Sequence, residues 1–133
     1  MKLLIFGTWI ILVSCNESYR LKQASISSSA YVLKGNVSTF AGSTGNAGYL
    51  DASGTDALFQ CAYSITSDLE TGDLYVADSG NYVIRKVGPT GVVTTFVGDG
   101  TVGNINATGT LAKLGRINDV VFDSNKNLFL ADS

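Results

Sequence analysis

The sequence predicts an all-β fold, an incomplete β-propeller, and three observations lead there. Blocks of residues recur in the same order at a spacing of about 55. Fifteen glycines stand against a single proline, while Val, Ile, Thr, Tyr and Phe gather in short runs, the pattern of strands joined by many turns. No stretch carries the apolar spacing of a long helix.

Composition narrows the function classes. With 45% hydrophobic and 15% charged residues and a formal charge of −2, the balance is that of an ordinary globular domain. The nine Lys and Arg residues are scattered and form no basic patch to attract phosphate, so nucleic acid is set aside as a partner. Histidine is absent, which excludes any Ser-His-Asp, Cys-His or His-zinc site built from these residues; no cofactor, metal site or catalytic residue is expected.

The N-terminus reads as an address. Met1 and Lys2 precede an apolar run over residues 3–13, which ends in Ser14-Cys15-Asn16, so residues 1–15 are expected to be a signal peptide. The run is too short to cross a hydrocarbon core as a helix, which takes about 20 residues. Residues 16–29 are polar and read as a tether or linker, leaving 30–133 as the propeller segment. Leu12-Val13-Ser14-Cys15 resembles a bacterial lipobox, making Cys15 a candidate for lipidation and membrane attachment; ordinary signal-peptidase cleavage is the alternative. Sequons at Asn16, Asn36 and Asn106 suit a eukaryotic secretory route instead, and Asn36 and Asn106 are candidate glycosylation sites. Cys61 is expected to be buried as a small hydrophobe, with no partner once Cys15 is lipidated or removed.

The repeat carries most of the signal. Val37-Ser38-Thr39-Phe40-Ala41-Gly42 returns as Val93-Thr94-Thr95-Phe96-Val97-Gly98, Ala57-Leu58-Phe59 as Ala112-Lys113-Leu114, and Asp73-Leu74-Tyr75-Val76-Ala77-Asp78-Ser79 as Asn127-Leu128-Phe129-Leu130-Ala131-Asp132-Ser133. The offset drifts from 56 to 54, as single-residue changes in loops would produce. One repeat reads as four strands near 62–67, 73–78, 82–87 and 92–97, separated by hairpin-length turns. Val120-Val121-Phe122, nearly continuous in apolar character, predicts an innermost strand buried on both faces. Four short antiparallel strands per repeat make one propeller blade, so the chain holds about one full blade and two half blades. Because closure takes typically 4 to 8 blades, such a segment is expected to belong to a larger product or to self-associate through open blade edges.

The stretch from Asp73 through Asp78-Ser79-Gly80-Asn81-Tyr82-Val83-Ile84-Arg85-Lys86-Val87 resembles the NHL-repeat core, in which a "G-N-L-Y-V-A-D-x-x-N-x-x-I-R" pattern precedes a "V-x-T-x-A-G" strand. Asp73 stands where that pattern has Asn, Asn127 restores it, and Tyr82 replaces the usual His. The resemblance covers about residues 31–133 and implies an NHL-type propeller. Asp78, Asn81, Arg85 and Asp132 then belong to the structural repeat motif: the aspartates are expected to fix turns by accepting N–H groups two residues on, and Arg85 to bond between blades.

Two tempting motifs have plainer explanations. Gly98-Asp99-Gly100-Thr101-Val102-Gly103 matches a dinucleotide fingerprint, but turn-rich sequence follows where a helix is required. Asp123-Ser124-Asn125-Lys126-Asn127 resembles the first half of a calcium loop, yet Leu128 occupies the turn glycine's place, and a solvated hairpin turn accounts for it. The function expected is an extracytoplasmic, non-enzymatic binding or scaffold module, secreted or lipid-anchored at the cell surface, with a protein or glycan ligand on a propeller face. The alternatives are a piece of a propeller enzyme of lyase or lactone-hydrolase type, and the sensor ectodomain of a longer receptor.

Overall fold

The computed structural model describes residues 37–133, and in addition the backbone of two short strands, β1 (Leu3–Phe6) and β2 (Trp9–Leu12). The remaining strands are β3 (Val37–Ala41), β4 (Ala62–Ser67), β5 (Leu74–Asp78), β6 (Val83–Val87), β7 (Val93–Val97), β8 (Ile117–Phe122) and β9 (Leu128–Asp132). Among the described residues there is no α-helix and hence none able to cross a membrane, only single 3₁₀ turns at Gly54–Asp56 and Gly109–Leu111. The strands of the central repeat fall within a residue of their expected limits.

All pairing is antiparallel. Strands β4-β5-β6-β7 form one four-stranded sheet in chain order, β8 and β9 form a second, and β2-β1-β3 form a third. The turns explain the hairpins. Asp68 accepts the Glu70 N–H at 3.0 Å and Gly72 takes φ +75° between β4 and β5; Gly88-Pro89-Thr90-Gly91 closes β6 on β7, with the Gly91 N–H on the Gly88 carbonyl at 2.9 Å. A bulge between Ala62 and Ser64 has its counterpart between Ile117 and Asp119, so the repeat extends to irregularities. β1 meets β3 in the register that β6 makes with β7, bulge included, so the stretch read above as an export signal carries two paired strands in the uncleaved chain.

The core lies on the two faces of the central sheet. Alternation along β5 sends Leu74 and Val76 into a cluster with Ala41, Ala57, Phe59, Ala62, Val87 and Val93. It sends Tyr75 and Ala77 into another with Ile84, Ile117 and Val120. Each fully buried aliphatic side chain in these clusters stabilises the fold by about 1.5–3 kcal/mol. The sheet is thus covered on one side by the preceding repeat unit and on the other by the following one, a propeller-like stacking. One expectation needs correction. The strand buried throughout is the second, β5, and not the innermost; in β8, Val121 is 53% exposed. The reason is position: β5 lies inside its sheet with neighbours over both faces, whereas β4 and β8 sit at sheet edges, each paired with one neighbouring strand and packed against the other.

Candidate functional site

Strand direction sorts the loops onto two ends. The turns at 68–73, 88–92 and 123–127 share one end, where Lys126 of the third turn pairs with Asp68 and Glu70 of the first. The other end holds the tight turn 79–82 and carries the most organised polar centre of the described residues.

That centre is built on Arg85, whose side chain is fully buried. From β6 it sends Nη1 to the Leu58 carbonyl at 3.0 Å and to Asp78 Oδ2 at 2.9 Å, and Nη2 to the Leu50 carbonyl at 2.8 Å and Asp51 Oδ1 at 2.6 Å. Four of five guanidinium N–H groups are thereby used, and Nε alone lacks a partner. The rings of Tyr49 and Phe59 lie with centroids 5.2 and 4.9 Å from Cζ, within cation–π range.

Asp78 ends β5 with its side chain fully enclosed. Its carboxylate does not accept the N–H two residues on; it takes the Gln60 N–H at 2.7 Å, Asn81 Nδ2 at 2.8 Å and Arg85, while the turn is closed by the Asn81 N–H on the Asp78 carbonyl at 2.9 Å. The correction follows from burial: an enclosed carboxylate needs charge-assisted donors, and the linking loop brings them. Burial nonetheless pushes the Asp78 carboxyl above the usual carboxylate range, outweighing the lowering by Asn81, Gln60 and Arg85. Asn81 also donates to the Gly48 carbonyl at 2.8 Å, and the Ser79 hydroxyl donates to the Ile117 carbonyl. One turn therefore ties the linking loop before the sheet to the strand after it.

Sequence reasoning missed the loop half of this centre: Tyr49, Leu50, Asp51, Leu58, Phe59 and Gln60. Asp51 also accepts the Thr95 N–H at 2.9 Å, and the Tyr49 hydroxyl pairs with Thr95 at 2.9 Å, so the loop is fastened to β7 as well. A signal did exist. The second linking loop repeats the first loop's backbone bonding, Gly103 to Leu114 at 3.0 Å for Gly48 to Phe59 at 3.1 Å, and Gly98 to Gly109 at 3.2 Å for Gly42 to Gly54 at 3.0 Å. Side-chain identity hid it, since Tyr49 and Asp51 become Asn104 and Asn106.

The other expected residues are dispersed. Asp132 ends β9 in an exposed position, and Asn106 is exposed in the second linking loop; Cys15 and Asn36 lie outside the described residues. Cys61 is half-buried, adopts φ +54° and is disulfide-bonded, which corrects its reading as a buried, partnerless thiol. At the glycine-rich stretch no helix follows Gly103; Asp99 accepts the Thr101 N–H at 2.8 Å and hydroxyl at 2.6 Å and pairs with Lys113, and these donors, Thr101 first, hold its carboxyl down at about 2. In the half-calcium loop the Asp123 carboxylate takes the Asn125 and Asn127 N–H groups at 2.8 Å and Asn127 Nδ2 at 2.9 Å, fully engaged in its own turn. Among the described residues no group of three or more His, Cys, Asp or Glu side chains stands ready for a metal.

The linking loops, which start and finish at this loop end, expose apolar side chains. Tyr49, Leu50, Val102, Ile105 and Leu111 are 45 to 75% exposed, and Tyr49 lies against the second loop, its ring 2.8 Å from where a Cβ on Gly100 would stand. Tyr49 of the first linking loop thus meets the second, and such exposed apolar side chains can hold a ligand by apolar contact.

No protein-family model matches the sequence, and no curated protein matches it either. Solved structures do. A Bacteroides thetaiotaomicron protein of unknown function superposes with a TM-score of 0.68 at 25% identity over 74% of this chain. An auxiliary nutrient binding protein of the same organism gives 0.61 at 23% over 72%. Another of its proteins, provisionally named a phosphatase, gives 0.60 at 27% over 68%. This chain spans only 23 to 26% of the length of these three. What they share with it is an all-β, propeller-like arrangement of antiparallel sheets.

Proposed function

We propose that the chain is part of an NHL-type propeller that works outside the cytoplasm as a non-enzymatic binding module, with a protein or glycan ligand seated on the loop end. The observation that carries this reading is the division of labour between side chains. The charged residues of the repeat motif, Asp78 and Arg85, are fully enclosed and engaged with the fold, while both linking loops expose apolar side chains and Tyr49 of the first lies against the second. The similarity to a protein named for nutrient binding supports it. A disulfide at Cys61 fits an oxidising compartment. The sequence holds two cysteines, so an intrachain disulfide at Cys61 and a lipid on Cys15 are alternatives, which the mass of the mature N-terminus distinguishes.

The test is a screen of the protein against oligosaccharide and peptide arrays, with phosphomonoesters and sugar lactones offered in parallel as substrates. Binding that is lost in Val102→Asp and Leu111→Asp, at unchanged unfolding midpoint and without turnover, supports the module. Turnover of either substrate class overturns it in favour of an enzyme.

A further inference from the structure

β4 and β8, the edge strands that successive sheets pack against each other, depart from regular pairing at the same place. In β4 the register passes from Ala62 opposite Asp78 to Ser64 opposite Ala77, and in β8 from Ile117 opposite Asp132 to Asp119 opposite Ala131. Tyr63 and Asn118 are thus the extra residues of two equivalent bulges, and a bulge re-aims the side chain of the residue it leaves unpaired. The effect shows in burial. Ala62 and Ile117 beside them are buried, whereas Tyr63 is 54% exposed and Asn118 is exposed as well. Tyr63 stands clear even with β8 packed along its strand, so the bulge accounts for its exposure.

Polar contacts join the two repeats at this spot. The Ser64 hydroxyl donates to Asp119 Oδ1 at 2.6 Å, and the Val120 N–H donates to Asp119 Oδ1 at 2.9 Å and to Ser64 Oγ at 3.3 Å. A backbone N–H of β8 that meets side chains instead of β9 lies on the side of the strand away from β9, which puts the group on the converging edge of the sheets and not between their faces. Each of these strands begins where a linking loop finishes, so the group stands at the loop end. Both bonds to the carboxylate fall on Oδ1, which leaves Oδ2 to accept from a ligand. Ser64 first and the Val120 N–H second hold the Asp119 carboxyl below the usual carboxylate range, so it is ionised at neutral pH and repels anions. Asn118 donates through Nδ2 to the Ser133 hydroxyl at 3.1 Å, and its amide oxygen is left as an acceptor.

We infer that Tyr63, Asn118 and Asp119 form a subsite for a neutral sugar residue of an oligosaccharide, with Ser64 as the residue that positions the carboxylate. The inference rests on the binding reading above and names its ligand class. An aromatic ring turned off the sheet offers a flat apolar surface to the C–H face of a pyranose, while the carboxylate and amide oxygens accept from its hydroxyls. An extended apolar peptide would cover the carboxylate without supplying donors to it.

The experiment titrates the ¹⁵N-labelled protein with four neutral hexasaccharides, of glucose, mannose, xylose and galactose. Saturable binding of at least one is expected, with amide shifts centred on Tyr63, Ser64, Asn118 and Asp119. Tyr63→Ala is expected to weaken that sugar on the order of tenfold at an unchanged unfolding midpoint, Tyr63→Phe to retain it, and Asp119→Asn to weaken it by a similar factor. Indifference to Tyr63→Ala or to Asp119→Asn overturns the subsite. Sugar binding abolished by Val102→Asp and Leu111→Asp but intact in Tyr63→Ala does the same and leaves the binding module standing. Failure of all four sugars at millimolar concentration overturns the subsite too; peptide binding in the same assay would keep the module, and turnover of a phosphomonoester or lactone would remove both.

Discussion

Replacing Arg85 by Met tests whether the buried polar centre holds the repeat together. Met fills a similar length but removes four hydrogen bonds, two of them to carboxylates, and leaves the fully enclosed Asp78 without its cation. Breaking a buried pair from one side costs about 3–5 kcal/mol, against a total stability of roughly 5–15 kcal/mol for a domain. Urea unfolding followed by circular dichroism should therefore show a midpoint lowered by about a fifth or more. Arg85→Lys should recover little, since an ammonium cannot reach acceptors on both sides of the fork. The pH dependence gives a second signature. Burial raises the Asp78 carboxyl above its unfolded value, so the folded state holds the proton more tightly, and this group's contribution to stability falls as pH rises through the interval between the two values. Without Arg85 that interval widens. The Arg85→Met deficit should accordingly shrink on acidification and be largely repaired by Asp78→Leu in the same chain. A variant within about 1 kcal/mol of the parent at neutral pH, or a deficit that grows on acidification, would refute the account.

Three further outcomes are expected. Gly98 has φ +99° and a Cβ there would come within 2.5 Å of the Tyr82 carbonyl oxygen, whereas Gly45 at φ +79° has nothing within 4 Å; Gly98→Ala should thus cost more than the roughly 1–3 kcal/mol of backbone strain alone, and Gly45→Ala no more than that, as read by thermal unfolding. Nuclear magnetic resonance titration should place the Asp99 carboxyl at about 2 and return it toward 3.8 in Thr101→Val; because its folded value is depressed, its support is present above pH 4 and lost as pH falls toward 2. Tyr75 is covered by Phe96 and Phe122 with ring centroids at 5.0 Å, while its counterpart Phe129 is 57% exposed beside exposed Val121, so sedimentation should show self-association that Phe129→Lys reduces.

The sequence by itself determined the repeat and the strands. Strand limits follow from alternation and from turn residues such as Asp68, Gly72 and Pro89, which set the turn locally, Asp68 by accepting the N–H two residues on, and need no distant partner. What only the tertiary structure decided is where the motif's polar side chains go. Asp78 and Arg85 could be picked out as repeated positions, but their partners, Leu50, Asp51, Leu58 and Gln60, lie 18 to 35 residues away in the chain and act largely through backbone carbonyls and an N–H, which carry no residue signature. The burial of β5 and the exposure of Val121 were equally out of reach, because an apolar run shows that a face can be covered, and only the packing of one sheet on the next shows which face is.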